Sequence, residues 1–309
     1  MERLLFHIGY PKCASSSLQR HLSQCQPYIN YLGFQPSGCN SSFDQFFFSF
    51  LKLNSVNFDT SGPDYYRVRF QEYLSADRLN VVSAEHVLSP STNDIGLQAK
   101  KLKALKADAR LLVIIRRQEE YILSDYYWRP HAPISVSQSN GRILDLEAWL
   151  NCNLQNYDRS ILSALDYHRV LSHYERYFPQ SNIHVLLYED LAQSPEQFLQ
   201  QLSDILGLPS HSDSVLTSNQ KSNTWQANVL RRYKRTLLPN VNLRNLMPRR
   251  MHSALAKMVW LNAHRLPLLK DRKPLPKHLA RQVRHMYAES NRRLAETYNL
   301  PLEDYDYSI

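Results

Sequence analysis

The chain has 309 residues, of which 43 % are hydrophobic and 21 % are charged, and its formal net charge is +9. This composition is ordinary for a globular protein, and the length allows one large α/β domain or two smaller ones with a sizeable core. Only seven residues are glycine and no repeat is visible, which argues against low-complexity and repeat architectures.

The cysteine spacing argues against a zinc-binding or dithiol protein, and the hydropathy argues against a membrane-spanning one. Cys13, Cys25, Cys39 and Cys152 form no CxxC pair, so a zinc or dithiol motif is not indicated, and reduced thiols are the preferred interpretation. No apolar run approaches the roughly 20 residues that span a bilayer. A strand is expected to begin at about Arg3, which leaves no room for a signal peptide. We therefore expect a cytoplasmic protein.

The positive charge is concentrated in one part of the chain. Residues 221–285 contain 16 Lys and Arg against a single acid, Asp271, whereas the rest of the chain is net acidic. Such asymmetry favours attraction to an anionic acceptor, a polyanion or an acidic membrane surface, and peripheral membrane contact is one expectation. A solvated helical face is the alternative interpretation.

Strands and helices alternate along the chain. The predicted elements, in order, are strand RLLFHIG, helix 15–23, loop 26–40, helix FDQFFFSFLKL, strand RLNVVSAE, helix IGLQAKKLKALKA, strand ARLLVIIR, helix QEEYILSDYYW, a polar loop at 128–142, helix LDYHRVLSHYERYF, strand IHVLLYED and helix SPEQFLQQLSDILGL. After residue 222 the sequence is basic, with helical patterns interrupted by prolines.

This alternation predicts an α/β fold with a single doubly wound, mainly parallel sheet flanked by helices. We expect one domain over residues 1–309, with a basic helical segment at 223–285 inside it. In such sheets ligands bind beyond the carboxyl ends of the strands. The polar residues at strand ends, at 10–17, at 83–86 and from Arg116 onward, are therefore expected to form the site.

The first of these junctions, PKCASSS, has the composition of a phosphate-binding loop. A loop that leaves a strand and starts a helix presents unpaired backbone N–H groups at the positive end of the helix dipole. The serine hydroxyls and the charge of Lys12 would add to these donors. The glycines of the GxxxxGK[ST] triphosphate loop are missing. The structural alternative is a serine cluster that caps the helix beside an exposed lysine.

IGYPKCASSSLQRHL resembles the 5′-phosphosulfate loop of the sulfotransferases that use 3′-phosphoadenosine 5′-phosphosulfate (PAPS). That loop typically has a proline-lysine pair, a variable residue, a glycine and two Ser or Thr hydroxyls; Ala14 stands here where glycine is usual. The resemblance implies cofactor binding by Lys12, Cys13, Ala14, Ser15, Ser16 and Ser17, with no metal required.

A second stretch, LLVIIRRQEEYILSDYY, resembles the 3′-phosphate element of the same family. There an arginine at a strand end is followed eight residues later by a serine and then by an aromatic residue. The matching positions are Arg116, Ser124 and Tyr126, and a structural ion pair is the alternative role of Arg116. Lys221, in SNQKSN, resembles part of a loop that closes over the nucleotide. The sequence from 289 to 308 resembles the C-terminal tail of bacterial members.

Sulfuryl transfer needs a positive charge at the leaving oxygen, an in-line arrangement and a base for the acceptor hydroxyl. Lys12 is the expected electrophile, and transfer is direct, so Cys13 is not a nucleophile. Glu85 matches an SxE pattern of the family and is the leading base, with His86 and His131 as alternatives. Since neighbouring residues at a strand end point in opposite directions, only one of Glu85 and His86 is expected to face the site.

The leading hypothesis is a cytoplasmic PAPS-dependent sulfotransferase. The acceptor stays open among a glycan, a glycolipid and a hydroxylated metabolite, and no nucleic-acid partner is expected. An atypical small-molecule kinase and a non-catalytic polyanion-binding protein are the alternative functions.

Overall fold

The computed structural model describes residues 3–33, 42–85, 87–89, 94–128, 144–208 and 274–309. Five strands in this part form one parallel sheet. They are β1 (Leu4–Ile8), β2 (Ile29–Gly33), β3 (Leu79–Ala84), β4 (Arg110–Ile115) and β5 (Ile183–Leu187). The strand order is β2-β3-β1-β4-β5, so β1 is the central strand.

Helices connect and flank these strands. In chain order they are α1 (Ser15–Gln24), α2 (Ser42–Leu51), α3 (Ser55–Ser61), α4 (Pro63–Gln71), α5 (Ile95–Leu105), α6 (Gln118–Trp128), α7 (Leu146–Gln155), α8 (Ile161–Ala164), α9 (Tyr167–Glu175), α10 (Tyr188–Gln193), α11 (Pro195–Leu206) and α12 (Lys277–Tyr298). Within the described ranges, none of them has both the length and the apolarity of a membrane span.

Both faces of the sheet are covered. Every residue of β1 and β3 is buried, and so is every residue of β4 except Arg110. Because successive side chains of a strand point to opposite faces, complete burial requires cover on both sides. The predicted α/β class, with a parallel sheet flanked by helices, is confirmed.

The last long helix covers the core near the site. α12 packs against α6 and α9 and buries Leu279, Val283 and Tyr287. It includes the end of the predicted basic segment 223–285. The rest of that segment, up to residue 273, lies outside the described residues, so its helical character and the single-domain assignment stay predictions.

The structure corrects two boundaries. Residues 26–40 are not all loop, because Ile29–Gly33 forms the edge strand β2, with Ile29 and Tyr31 buried and Ile29 paired with Leu79. The strand predicted in IHVLLYED ends at Leu187, and Tyr188 begins α10. Two acidic residues at the start of α10 suit the positive end of a helix dipole.

The strand order opens a crevice at the carboxyl edge of the sheet. The chain that leaves β1 continues to β2 on one side, whereas the chain that leaves β4 continues to β5 on the other. Ligands of open α/β sheets bind where the strand order reverses in this way. The loop after β1 and the residues after β4 therefore lie on the two sides of the expected binding crevice.

A polar cluster inside the sheet supports the loop after β1. His7 is fully buried, and its Nδ1 lies 2.8 Å from the Ser83 hydroxyl, which also accepts a hydrogen bond of 3.3 Å from Gln19 of α1. His7 and Ser83 are register partners in β1 and β3. The cluster thus ties both strands to the first helix. Among the described residues the Nε2 atom of His7 has no hydrogen-bond partner.

Burial lowers the pKa of His7 to about 4, from an ordinary value of 6.5. Between pH 6.5 and about pH 4 the unfolded chain binds a proton at His7 that the folded protein does not bind. The stability that is present above pH 6.5 is therefore lost as the pH falls. From about pH 7 to about pH 5, His7 should lower the free energy of unfolding by about 2 kcal/mol. Urea unfolding at both values, for the wild type and His7→Gln, measures this; an equal pH dependence in both would contradict it.

Candidate active site

The loop between β1 and α1 has an unusual backbone. Lys12 and Ala14 have φ angles of 72° and 59°, in the left-handed region that costs a non-glycine residue about 1–2 kcal/mol. Ala14 is the N-cap of α1, and its carbonyl accepts the amides of Ser17 (2.9 Å) and Leu18 (3.0 Å). The N-cap residue makes no side-chain hydrogen bond, and the three serines occupy the first helical positions after it. None of the serines is therefore the N-cap residue itself.

The three serines have different surroundings. Ser15 and Ser17 are buried, whereas Ser16 is exposed. The Ser15 hydroxyl donates to the Tyr10 carbonyl at 3.1 Å and so closes the loop on itself. The loop thus presents the start of α1, the half-buried Lys12 and one exposed hydroxyl at the carboxyl end of the central strand.

Gly9 allows the loop to lie close to the strand. A Cβ atom at this position would be 2.9 Å from His7 Nε2 and 3.2 Å from Ser15 Oγ. The first distance is shorter than real Cβ contacts, and the His7 ring is held by Ser83 and cannot easily move. The absence of a side chain at Gly9 is therefore what brings β1, His7 and Ser15 together.

Arg116, the residue after β4, reaches across the crevice to this loop. Its Nη1 donates to the Lys12 carbonyl at 3.3 Å, and its Nη2 lies 3.4 Å from the Glu120 carboxylate. The guanidinium carbon lies 4.3 Å from the ring centre of Tyr188. Only 14 % of the side chain is exposed. An aromatic ring and two weak hydrogen bonds thus hold a largely buried cation at the edge of the loop.

The backbone at Arg116 is fixed separately. The Tyr167 hydroxyl donates to the Arg116 carbonyl at 2.6 Å, and the next amide, that of Arg117, donates to Glu189 Oε1 at 2.9 Å. The Arg117 side chain points elsewhere, to Asp306 (3.3 Å) and Glu120 (3.5 Å). Of the two adjacent arginines, Arg116 is the one that contacts the loop.

Glu189 is a half-buried carboxylate behind these arginines. Burial raises the pKa of Glu189, and its hydrogen bonds from the Arg117 amide and the Tyr307 hydroxyl work in the opposite direction. Tyr188, Glu189 and Tyr167 were not predicted from the sequence. The short run YED at the end of an apolar strand could have indicated Tyr188 and Glu189, but it does not show that Arg116 and Arg117 are their partners. For Tyr167 the sequence held no comparable signal.

The second residue of the predicted 3′-phosphate element lies on α6. Ser124 is half-exposed and stands four residues after Glu120, so both lie on the same side of the helix. Because Glu120 contacts Arg116, Ser124 lies one turn further along the helix from that contact. Tyr126 belongs to the core instead, where its hydroxyl donates to the Leu144 carbonyl at 3.1 Å and its ring packs on Trp149.

Glu85 follows β3 directly and is half-buried. The register pairs Ile8 with Ala84, which brings Glu85 beside Gly9 at the start of the loop. Burial raises the pKa of Cys13 strongly; Arg116 lowers it, and Glu189 and Glu85 raise it further. Glu85 is thus within electrostatic reach of the loop, and Cys13 stays a neutral thiol. His86, His131 and Lys221 lie outside the described residues.

Ala14→Gly tests the backbone strain of the loop. Glycine adopts the left-handed conformation without a steric penalty but loses more chain entropy on folding, so we expect a net gain of up to about 1 kcal/mol in the free energy of unfolding. Ala288→Gly, in the middle of α12, is the control and should lose about 1 kcal/mol. Urea unfolding measures both; equal losses would mean that Ala14 is not strained.

The sequence matches the model of the "Sulfotransferase domain" family over residues 4–252. Among solved structures, a sulfotransferase from Alicyclobacillus acidocaldarius is similar with a TM-score of 0.46 and 16 % identity, over 75 % of this chain and 91 % of its own. The sulfotransferase domain from the curacin biosynthetic pathway gives 0.41 and 16 %, over 73 % and 83 %. Mouse sulfotransferase SULT7A1, complexed with PAP, gives 0.39 and 13 %, over 69 % and 61 %.

No curated protein matches the chain significantly. The family model nevertheless begins at the first residue of β1 and extends beyond α11, so it includes the whole sheet and the crevice between β1 and β4. On this match, the chain belongs to the sulfotransferase domain family.

Proposed function

We propose that this protein transfers a sulfuryl group from PAPS to a hydroxyl acceptor, with PAPS bound across the loop after β1 and Arg116. The observation that supports this most is the 3.3 Å hydrogen bond from Arg116 to the Lys12 carbonyl. It joins the two stretches that resemble the family's phosphate-binding motifs at the point where the strand order reverses. A ligand that carries one phosphate at each end suits that arrangement.

The residues present fit the two anionic ends of PAPS. Lys12, the start of α1 and the serines from Ser15 to Ser17 would bind the 5′-phosphosulfate, with Cys13 and Ala14 contributing backbone. Arg116 and Ser124 would bind the 3′-phosphate, and Lys221 would contribute to nucleotide binding. In the described part of the chain the buried Nε of Arg116 has no hydrogen-bond partner, and its Nη contacts are 3.3 and 3.4 Å long. A phosphate would be a stronger acceptor for this guanidinium than a carbonyl.

In this proposal PAPS supplies the sulfuryl group, and the residues of the chain supply charge and a base. Lys12 stabilises the negative charge that develops on the leaving oxygen. Glu85, beside Gly9, accepts the proton of the acceptor hydroxyl, with His86 and His131 as the alternative bases. The Cys13 thiol is fully buried and neutral, in keeping with direct transfer.

The acceptor is proposed only by class: a glycan, a glycolipid or a hydroxylated metabolite, with an anionic character that would suit residues 221–285. A screen of labelled-sulfate transfer over these classes identifies it. Equilibrium binding of 3′-phosphoadenosine 5′-phosphate (PAP) in comparison with ATP tests the cofactor. Preference for ATP would overturn the proposed function.

Lys12→Ala should lower kcat by about 10² to 10³. The side chain is half-buried at the mouth of the loop, so its charge is expected to matter more than its packing. Labelled-sulfate transfer measures the rate, and circular dichroism checks the fold. Lys52→Ala, at an exposed position after α2, is the control and should keep normal turnover. Near-normal turnover of Lys12→Ala would show that Lys12 is not the electrophile.

Arg116→Ala should weaken PAP binding more than Ser124→Ala, since a charge-assisted hydrogen bond contributes about 1.5–3 kcal/mol and a neutral one about 1 kcal/mol. Calorimetry measures the affinity for PAP and for adenosine 5′-phosphate, which lacks the 3′-phosphate. The difference between the two affinities reports on contacts to the 3′-phosphate alone. Both variants should bind the second ligand almost as well as the wild type does. The same loss for both ligands would mean that neither side chain contacts the 3′-phosphate.

A further inference from the structure

The residues after α12 return to the carboxyl edge of the sheet. We call residues 303–309 the tail. Tyr307 is buried, and its hydroxyl donates to Glu189 Oε2 at 3.0 Å. Tyr305 donates to the carboxylate of Asp190, and Asp306 accepts from Arg117 Nη1 at 3.3 Å. Three consecutive residues of the tail thus contact the start of α10 and the turn after β4.

Glu189 connects the tail to the backbone next to Arg116, the residue that contacts the loop after β1. Its other carboxylate oxygen accepts the Arg117 amide at 2.9 Å, directly after Arg116. Its neighbour Tyr188 carries the ring on which the Arg116 guanidinium lies. Two adjacent residues of α10 therefore fix Arg116: Glu189 fixes its backbone and Tyr188 its side chain. Tyr307 in turn fixes Glu189.

The tail is also joined to the turn from the other side. The Ser308 carbonyl accepts from Asn291 Nδ2 at 2.9 Å, and the Asn291 side-chain oxygen accepts from Gln118 at 2.7 Å. Gln118 is the first residue of α6, and both side chains are buried. Buried polar groups are costly to leave without partners, so a displaced tail would disturb this chain of contacts.

Electrostatics places Tyr307 close to the same residues. Burial and the Glu189 carboxylate raise the pKa of Tyr307 well above its ordinary value, while the charge of Arg116 lowers it. Tyr307 therefore stays protonated and remains a hydrogen-bond donor to Glu189 at any working pH. The contact acts as a permanent support.

We propose that the tail is a positioning element for Arg116: Tyr307 and Asp306 hold Glu189 and Arg117, and these hold the guanidinium where it meets the 3′-phosphate. This rests on the proposed function, in which Arg116 binds that phosphate. Tyr307 and Asp306 are positioning residues that do not touch the ligand. A tail that served only to close the core would affect stability without distinguishing between ligands.

A reciprocal effect follows from linkage. If the tail raises the affinity for PAP by some factor, bound PAP must favour the docked tail by the same factor. The backbone offers a direct readout, because the amides of Asp306 and Tyr307 donate to the carbonyls of Glu303 (3.0 Å) and Leu302 (3.1 Å). Hydrogen exchange at these amides should slow when PAP binds.

Tyr307→Phe is the main test, with PAP and adenosine 5′-phosphate as probes. Loss of one hydrogen bond in the support should weaken PAP about 3- to 10-fold, raise KM for PAPS by a similar factor, and leave kcat and adenosine 5′-phosphate binding nearly unchanged. Tyr298→Phe is the matched control. It removes a comparable bond from the same C-terminal region, Tyr298 to Glu175 at 2.7 Å, and should not change PAP affinity.

The outcomes separate the two proposals. A wild type that fails to bind PAP overturns the proposed function. A wild type that binds PAP, with Tyr307→Phe no weaker than Tyr298→Phe or equally weakened for both ligands, overturns only the role of the tail. Unchanged exchange at residues 306 and 307 on PAP binding does the same. Should Tyr307→Phe not fold, Asp306→Asn replaces it, because the Asp306 side chain is 84 % exposed; a roughly 2-fold loss is then expected.

Discussion

The guanidinium of Arg116 lies on the ring of Tyr188 and donates to the carbonyl of Lys12, and the position of this cation in the crevice depends on these two contacts. It links the loop after the central strand to the turn after its neighbour, on the two sides of the point where the strand order reverses. Each partner is held by its own set of interactions. Tyr167 and Glu189 fix the backbone at Arg116, while Ser15 and the N-cap of α1 fix the loop.

The charges around this contact alternate in sign. The Glu120 carboxylate contacts Arg116, Glu189 is within electrostatic reach of the same guanidinium, and Glu85 is within reach of Cys13, next to Lys12. These carboxylates help to offset the cost of holding the largely buried Arg116 guanidinium away from water. An anionic ligand would compete for the same donors, so the protein does not have to build new positive charge when the ligand arrives.

The strands that are apolar throughout could be predicted from the sequence, and so could the polar residues at their ends. A strand that is buried on both faces appears as a continuous apolar run such as ARLLVIIR. The sequence did not reveal β2, whose residues Asn30 and Leu32 to Gly33 are only partly buried at the edge of the sheet. The supports of the site were also missed. Tyr167, Tyr188 and Tyr307 come from distant segments, and only the folded chain shows that they share a partner. A histidine inside LLFHI was a usable signal, since a polar residue in a buried strand needs a companion.

The central position of β1 has a consequence for how the site forms during folding. β1 pairs with β3 through Leu4 and Asn80 and with β4 through Leu5 and Arg110, so both of its neighbours are remote in sequence. Parallel pairings over such separations form slowly, because the intervening chain must lose its freedom first. Arg116 follows β4 directly, so we expect the loop and its arginine to become ordered together when β4 pairs with β1. A nascent chain that has not yet reached residue 116 lacks the side chain that contacts the Lys12 carbonyl.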